Sequence, residues 1–135
     1  MSNLKLIFTL IFIVSFTACS TRSREGVETD YNANPITVTV PRKLETKQVQ
    51  AIIEHAFEKR GWSIVDSSTD SVTATLNHRG FNAKVVAAIT GHQVRLLDYS
   101  TDSDGKKLTP LGWIKNLEID LDKDFQMMIQ MIQER

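Results

Sequence analysis

Residues 46–62, TKQVQAIIEHAFEKRGW, hold a complete helix together with its own stop signal. Val49, Ile52, Ile53, Ala56 and Phe57 fall at i, i+3, i+4, i+7 and i+8 and make one apolar stripe. Thr46 offers a cap for the first turn. Lys59 and Arg60 place positive charge in the last turn, where it suits the helix dipole. Gly61 then supplies a left-handed stop, and Trp62 is positioned to fold back on the stripe. A helix with one apolar face needs an apolar surface to cover, and the sequence on either side supplies it.

Downstream, the period switches from 3.6 to 2. Trp62–Val65 is a short apolar stretch, and Asp66–Ser71 is a polar turn. Val72, Ala74 and Leu76 alternate with Thr73, Thr75 and Asn77. His78-Arg79-Gly80 turns the chain, and Phe81, Ala83, Val85, Ala87 and Ile89 alternate over nine residues. Gly91-His92 is the next turn, and Gln93–Tyr99 closes the meander. Connections this short imply antiparallel neighbours. Upstream, Ile36–Val40 alternates in the same way and is stopped by Pro41. Ser100–Pro110 is a charged loop.

The C-terminal stretch carries two patterns. Leu117, Ile119 and Leu121 alternate with acidic residues like a strand, whereas Leu121, Phe125, Met128, Ile129 and Ile132 are spaced like a helix. Residues 113–121 therefore read either way, and a helix is expected from Asp120 or Asp122 to Gln133, with an aspartate as its cap or a start further upstream. The expected order is β-α-β-β-β-α. This is an α+β domain over residues 36–135, one antiparallel sheet with two helices on one face.

The N-terminus has a different character. One lysine, Lys5, precedes an almost purely apolar run from Leu6 to Phe16, followed by Thr17, Ala18 and Cys19. This is the layout of a secretory signal over residues 1–18. The run is too short for the ~20 residues that cross a bilayer. Residues 19–35 are polar and read as a tether. Removing residues 1–18 leaves 117 of the 135 residues, enough for one ordinary core.

Phe16-Thr17-Ala18-Cys19 resembles the lipobox of bacterial lipoproteins, with phenylalanine where leucine is usual. The resemblance implies cleavage between Ala18 and Cys19 and acylation of Cys19, the sole cysteine. Several acyl chains at about 0.8 kcal/mol per buried CH₂ give durable anchoring. Ser20, in place of aspartate, implies the outer membrane of a Gram-negative host, with the domain facing the periplasm. The competing reading is plain secretion with cleavage after Ser20, where Ala18 satisfies the small-residue rule. Ala56, Arg60-Gly61-Trp62, Ala74, Arg79 and Tyr99-Ser100 further resemble a group of small bacterial lipoproteins with a lipobox signal and an Arg-Gly-Trp helix end. The resemblance spans about residues 50–135 and implies a meander and a closing helix; it brings no settled activity. In that group the closing helix tends to carry aromatic residues, where this chain has Phe125 and three methionines.

Charge and motifs narrow the chemistry. Lysine plus arginine and aspartate plus glutamate number 16 each, and only Lys5 lies in the signal, so the mature chain carries 15 against 16, a net −1. Such a chain has no general field to attract nucleic acid, and none is expected as a partner. His55, His78 and His92 lack metal-ligand spacing and read as solvated. Ser100–Gly105 resembles the opening of a calcium loop, but Ser100 stands at the first ligand position and Leu111 at the twelfth, so a solvated turn is expected. Asp120, Asp122 and Asp124 are acidic neighbours that suit a helix start without a metal. No G-x-S-x-G or P-loop is present, and no thiol remains once Cys19 is acylated. The expectation is a non-enzymatic module without a cofactor, anchored by lipid and binding another envelope component. The alternative is a small-molecule or ion-binding periplasmic module with a cleft between sheet and helices. Candidate contact residues are Arg79, Arg95, Asp98, Asp102, Asp104, Trp113, Met127 and Met131. Met127 and Met131, four apart on one flank of a helix, read first as core and otherwise as an adaptable contact surface. Trp113 reads as either a plug or an exposed anchor.

Overall fold

The computed structural model describes residues 31–135, so the cleavage site at Ala18 and the anchor residue Cys19 lie outside the described residues. Helix α1 spans Thr46–Lys59, and the predicted stripe, Val49, Ile52, Ile53, Ala56 and Phe57, is its buried face. Its C-terminus is a Schellman motif. Gly61 has φ +85°, its N–H donates to the Glu58 carbonyl at 3.0 Å, and the Trp62 N–H donates to the Phe57 carbonyl at 3.0 Å. The accompanying apolar contact is Phe57 against Trp62, ring centroids 5.5 Å apart. At the other end Thr46 is the first helical residue rather than the cap. Glu45 is the N-cap, and its N–H donates to Gln48 Oε1 at 2.9 Å.

The strands are β1 (Thr37–Thr39), β2 (Ser63–Ser67), β3 (Ser71–His78), β4 (Phe81–Thr90), β5 (Gln93–Asp98) and β6 (Thr101–Asp102). All pair antiparallel, in the order β1-β5-β4-β3-β2, with β6 beside β4. Two-residue turns join β3 to β4 and β4 to β5 and fix the register: His78 faces Phe81, and Thr90 faces Gln93. That register brings Val38, Val94, Leu96, Val85, Ala87, Val72 and Ala74 to one face, where all are buried. Helix α2 (Leu111–Gln133) joins α1 over this face, contributing Ile114, Leu117, Leu121 and Phe125 to the core. The fold is α+β, an antiparallel sheet with two helices packed against it. The observed order, β-α-β-β-β-β-β-α, has two strands beyond the expected one. The stretch after Trp62 is a full strand with a bulge between Ile64 and Asp66, and the charged loop contributes β6.

Two expectations are corrected. Helix α2 begins at Leu111, directly after Pro110, and no aspartate caps it. The helical spacing of Ile114, Leu117, Leu121 and Phe125 prevails, and Ile119, the residue that completed the strand-like pattern, is 61% exposed. The other concerns the described end of the expected tether, where Tyr31 and Asn32 are bonded to the domain. The Tyr31 hydroxyl donates to the Leu96 carbonyl at 2.7 Å, and the Asn32 side chain closes two 2.8 Å bonds with the Asp98 backbone, donating to its carbonyl and accepting from its N–H. Tyr31 and Asn32 thus dock onto the end of β5 that lies beyond its pairing with β1, as part of the domain. Burial pushes the Tyr31 phenol up to about 12, with the Ile36 N–H, which donates to its oxygen, acting in the opposite direction.

Candidate functional site

The helix end that seals α1 also builds a cleft. Trp62, held against Phe57 by the Schellman turn, presents its ring to Trp113 in the first turns of α2, edge-on with centroids 6.3 Å apart. Trp113 in turn meets Phe81 at 5.0 Å and His78 at 6.2 Å, both flanking the β3–β4 turn. Trp62 is buried and Trp113 is half-buried. Arg60, Trp62, Leu76, His78, Trp113 and Asn116 enclose a cleft of about 260 Å³. Its walls are apolar and aromatic, while its rim carries a guanidinium, an imidazole and an amide.

Arg60 is fixed by an ion pair across the two helices. Its Nε donates to Asp120 Oδ2 at 2.7 Å and its Nη2 to Asp120 Oδ1 at 3.1 Å, a two-point clamp that leaves Nη1 outside the pair. Arg60 holds the Asp120 carboxyl below its usual range, against the opposing effect of burial, and Asp120 raises Arg60 in return. Lys59 adds weaker attraction, with its Nζ 3.9 Å from Asp120 and 3.8 Å from Asp124. These contacts place the end of α1 beside the middle of α2, and residues 51–55 of α1 lie beside residues 124–131 of α2, so the helices run antiparallel. The three aspartates expected at a helix start are instead mid-helix, and two of them face α1.

A second concavity lies further along the same helix pair. Ala51, Ile52 and His55 of α1 and Asp124, Met127, Met128 and Met131 of α2 line a groove of about 330 Å³. Phe125 is fully buried, and Met128 packs against the core as expected. Met127 and Met131, read first as core, are 50% and 52% exposed and belong to the groove surface. They sit on the flank of α2 beyond the stripe that meets the sheet. The Oδ2 of Asp124 is buried without a hydrogen-bond partner, with Lys59 its nearest cation.

The remaining predicted contact residues do not converge. Arg79 occupies the β3–β4 turn with φ +49°. Arg95 faces the open side of the sheet, opposite Thr37 and Ala88, whereas Asp98 lies three residues on and faces the helix side. Asp98 is a buried structural carboxylate: Oδ1 accepts from the Ser100 N–H at 3.1 Å, and Oδ2 accepts from the Thr109 hydroxyl at 2.7 Å. Asp102 Oδ1 accepts from the Asp104 and Lys106 N–H groups, both at 2.9 Å, so the calcium-like stretch is a self-satisfied turn. Among the described residues no three His, Cys, Asp or Glu side chains are grouped to hold a metal.

One serine does touch a carboxylate. Ser67 donates to Glu54 Oε1 at 2.5 Å while the Gln50 amide donates to the Ser67 oxygen at 2.8 Å. That oxygen already accepts a bond, and Ser67 lines neither concavity, so the contact ties the edge strand β2 to α1. The sequence offered Trp113 and the pair Met127 and Met131 as candidates; Asn116 and Asp124 share their helix, whereas His55 comes from α1, Arg60 from its C-cap and His78 from β3. Arg60-Gly61-Trp62 was the one local signal, and it marked a helix end. No family model, curated protein or solved structure matches the chain.

Proposed function

We propose that the protein is a lipid-anchored component of the bacterial cell envelope, held through Cys19, whose domain binds another envelope component and performs no catalysis. Support for the anchor is the signal-like segment ending at the sole cysteine. No helix among the described residues is long and apolar enough to cross a membrane, so none of them duplicates that role. The observation that carries the binding role is the aromatic cleft. Arg60, Trp62 and Trp113 are held by a Schellman turn, a two-point ion pair and ring contacts, which spares an incoming group the cost of ordering them. Arg60 Nη1, Asn116 and His78 stand at the rim to orient that group. The cleft suits an apolar or aromatic group that carries hydrogen-bonding atoms.

Site-specific photocrosslinking in intact envelopes tests this reading. A benzoylphenylalanine in place of Asn116 is expected to give a discrete adduct that Trp113→Ala abolishes, while the same probe in place of Lys84, on the open face of the sheet, gives none. No adduct from position 116, or the same adduct from both positions, would overturn the proposal.

A further inference from the structure

All the methionines but one lie in a single helix segment. Of the four in the chain, one is Met1, and the others, Met127, Met128 and Met131, stand within five residues of α2. All three line the same groove, and its α1 wall carries the imidazole of His55. Residues four apart on a helix are neighbours, with Cβ atoms about 6 Å apart. The thioethers of Met127 and Met131 are thus adjacent on one flank, and both are half-exposed. Antiparallel packing of the helices sets the row Ala51, Ile52, His55 against the row Asp124, Met127, Met128, Met131.

Packing alone does not account for this arrangement. Met128 meets the core, but Met127 and Met131 leave half their surface to solvent, where a polar helix former would serve equally well. Thioethers are soft, neutral donors. Hard divalent cations ignore them, whereas Cu(I) and its chemical relative Ag(I) prefer them, with imidazole as a compatible third ligand. Neutral ligands leave the cation's charge uncompensated, and Asp124 supplies a carboxylate in the groove wall whose Oδ2 has no hydrogen-bond partner and whose nearest cation, Lys59 Nζ, stands 3.8 Å away. The flexible methionine side chains can turn inward at little strain.

We propose that the groove between α1 and α2 binds one soft monovalent cation, Cu(I) or Ag(I), through the sulfurs of Met127 and Met131 and the imidazole of His55. Met128 also lines the groove while packing against the core, and Asp124 supplies the counter-charge. The site is separate from the aromatic cleft and owes nothing to the role proposed for that cleft.

The test uses the whole mature protein in non-ionic detergent under anaerobic conditions, with any free Cys19 thiol alkylated so that no thiolate competes. Cu(I) is offered as its bicinchoninate complex, and the loss of the complex's colour reads transfer. One Cu(I) per chain is expected. The double variant M127L/M131L keeps apolar volume and helix propensity, and its folding is checked by circular dichroism. It should lower Cu(I) affinity by more than about a hundredfold, beyond the usual effect of losing a supporting group. His55→Gln should lower it by about tenfold. Titration with Ag(I) should move the methyl resonances of Met127 and Met131 together, saturating at one equivalent. Absence of transfer, transfer unchanged in M127L/M131L, or uptake of Zn(II) in preference to Cu(I) would each overturn the proposal.

Discussion

Truncating single residues along α2 separates the helical from the strand-like pattern of residues 117–121. Leu117 and Leu121 are each 1% exposed, whereas Ile119 is 61% exposed. Leu→Ala removes three carbons, a transfer loss of about 2.4 kcal/mol. The cavity left in a rigid core raises this to about 3–5 kcal/mol. Ile119→Ala removes the same number of carbons, but only about two-fifths of the side chain is covered, so the burial loss is about 1 kcal/mol. Alanine's better helix propensity returns about 0.4 kcal/mol, leaving about 0.5 kcal/mol. A domain this small has a urea slope of about 1–1.5 kcal/mol/M. Leu117→Ala and Leu121→Ala should therefore each lower the urea midpoint by at least about 2 M, and Ile119→Ala by less than about 0.5 M. Equal losses at 117, 119 and 121 would put all three on one buried face, and the helix start at Leu111 would be wrong.

Three further outcomes follow from the same contacts. Arg60 holds the Asp120 carboxyl below its unfolded value, so the pair's stabilisation is present above about pH 4 and is lost as pH falls through the lowered folded value; in acid titrations followed by circular dichroism, Asp120→Asn should flatten the stability slope below about pH 4. Burial raises the Tyr31 phenol from 10.0 to about 12, so its contribution is complete below pH 10 and is lost as pH rises toward about 12; urea midpoints measured across that window should lose part of their downward slope in Tyr31→Phe. Arg79 sits at φ +49° in a turn that wants glycine or asparagine; Arg79→Gly relieves a left-handed cost of about 1–2 kcal/mol, gives part of it back as chain entropy, and should raise thermal stability by about 0.5 kcal/mol in calorimetry.

The parts of the fold legible in the sequence are those with local causes. The α1 stripe, its Gly61 stop and the return of Trp62 depend on neighbours within a few residues, and all three are present. The β3–β4 and β4–β5 hairpins follow from alternation broken by two-residue turns. The start of α2 was obscured because Leu117, Ile119 and Leu121 satisfy period 2 while Ile114, Leu117 and Leu121 satisfy the helix; burial chose between them. Tyr31 and Asn32 looked like linker because each has polar surroundings in sequence, and only the β5 backbone, more than sixty residues away, shows what they hold. Arg60, a helix-end charge by its sequence context, also pairs with Asp120 on another helix. His55 is exposed on α1, as its spacing implies, and only the packing of α2 shows that it shares a groove with three methionines.

The proposed envelope role rests on the proposed anchor, and the intact mass of the mature protein from detergent-solubilised membranes tests it most directly. The account predicts the mass of a chain beginning at Cys19 plus acyl groups, and no such species from the Cys19→Ser variant. An unacylated chain in the soluble fraction, or a chain cleaved after Ser20, would contradict it.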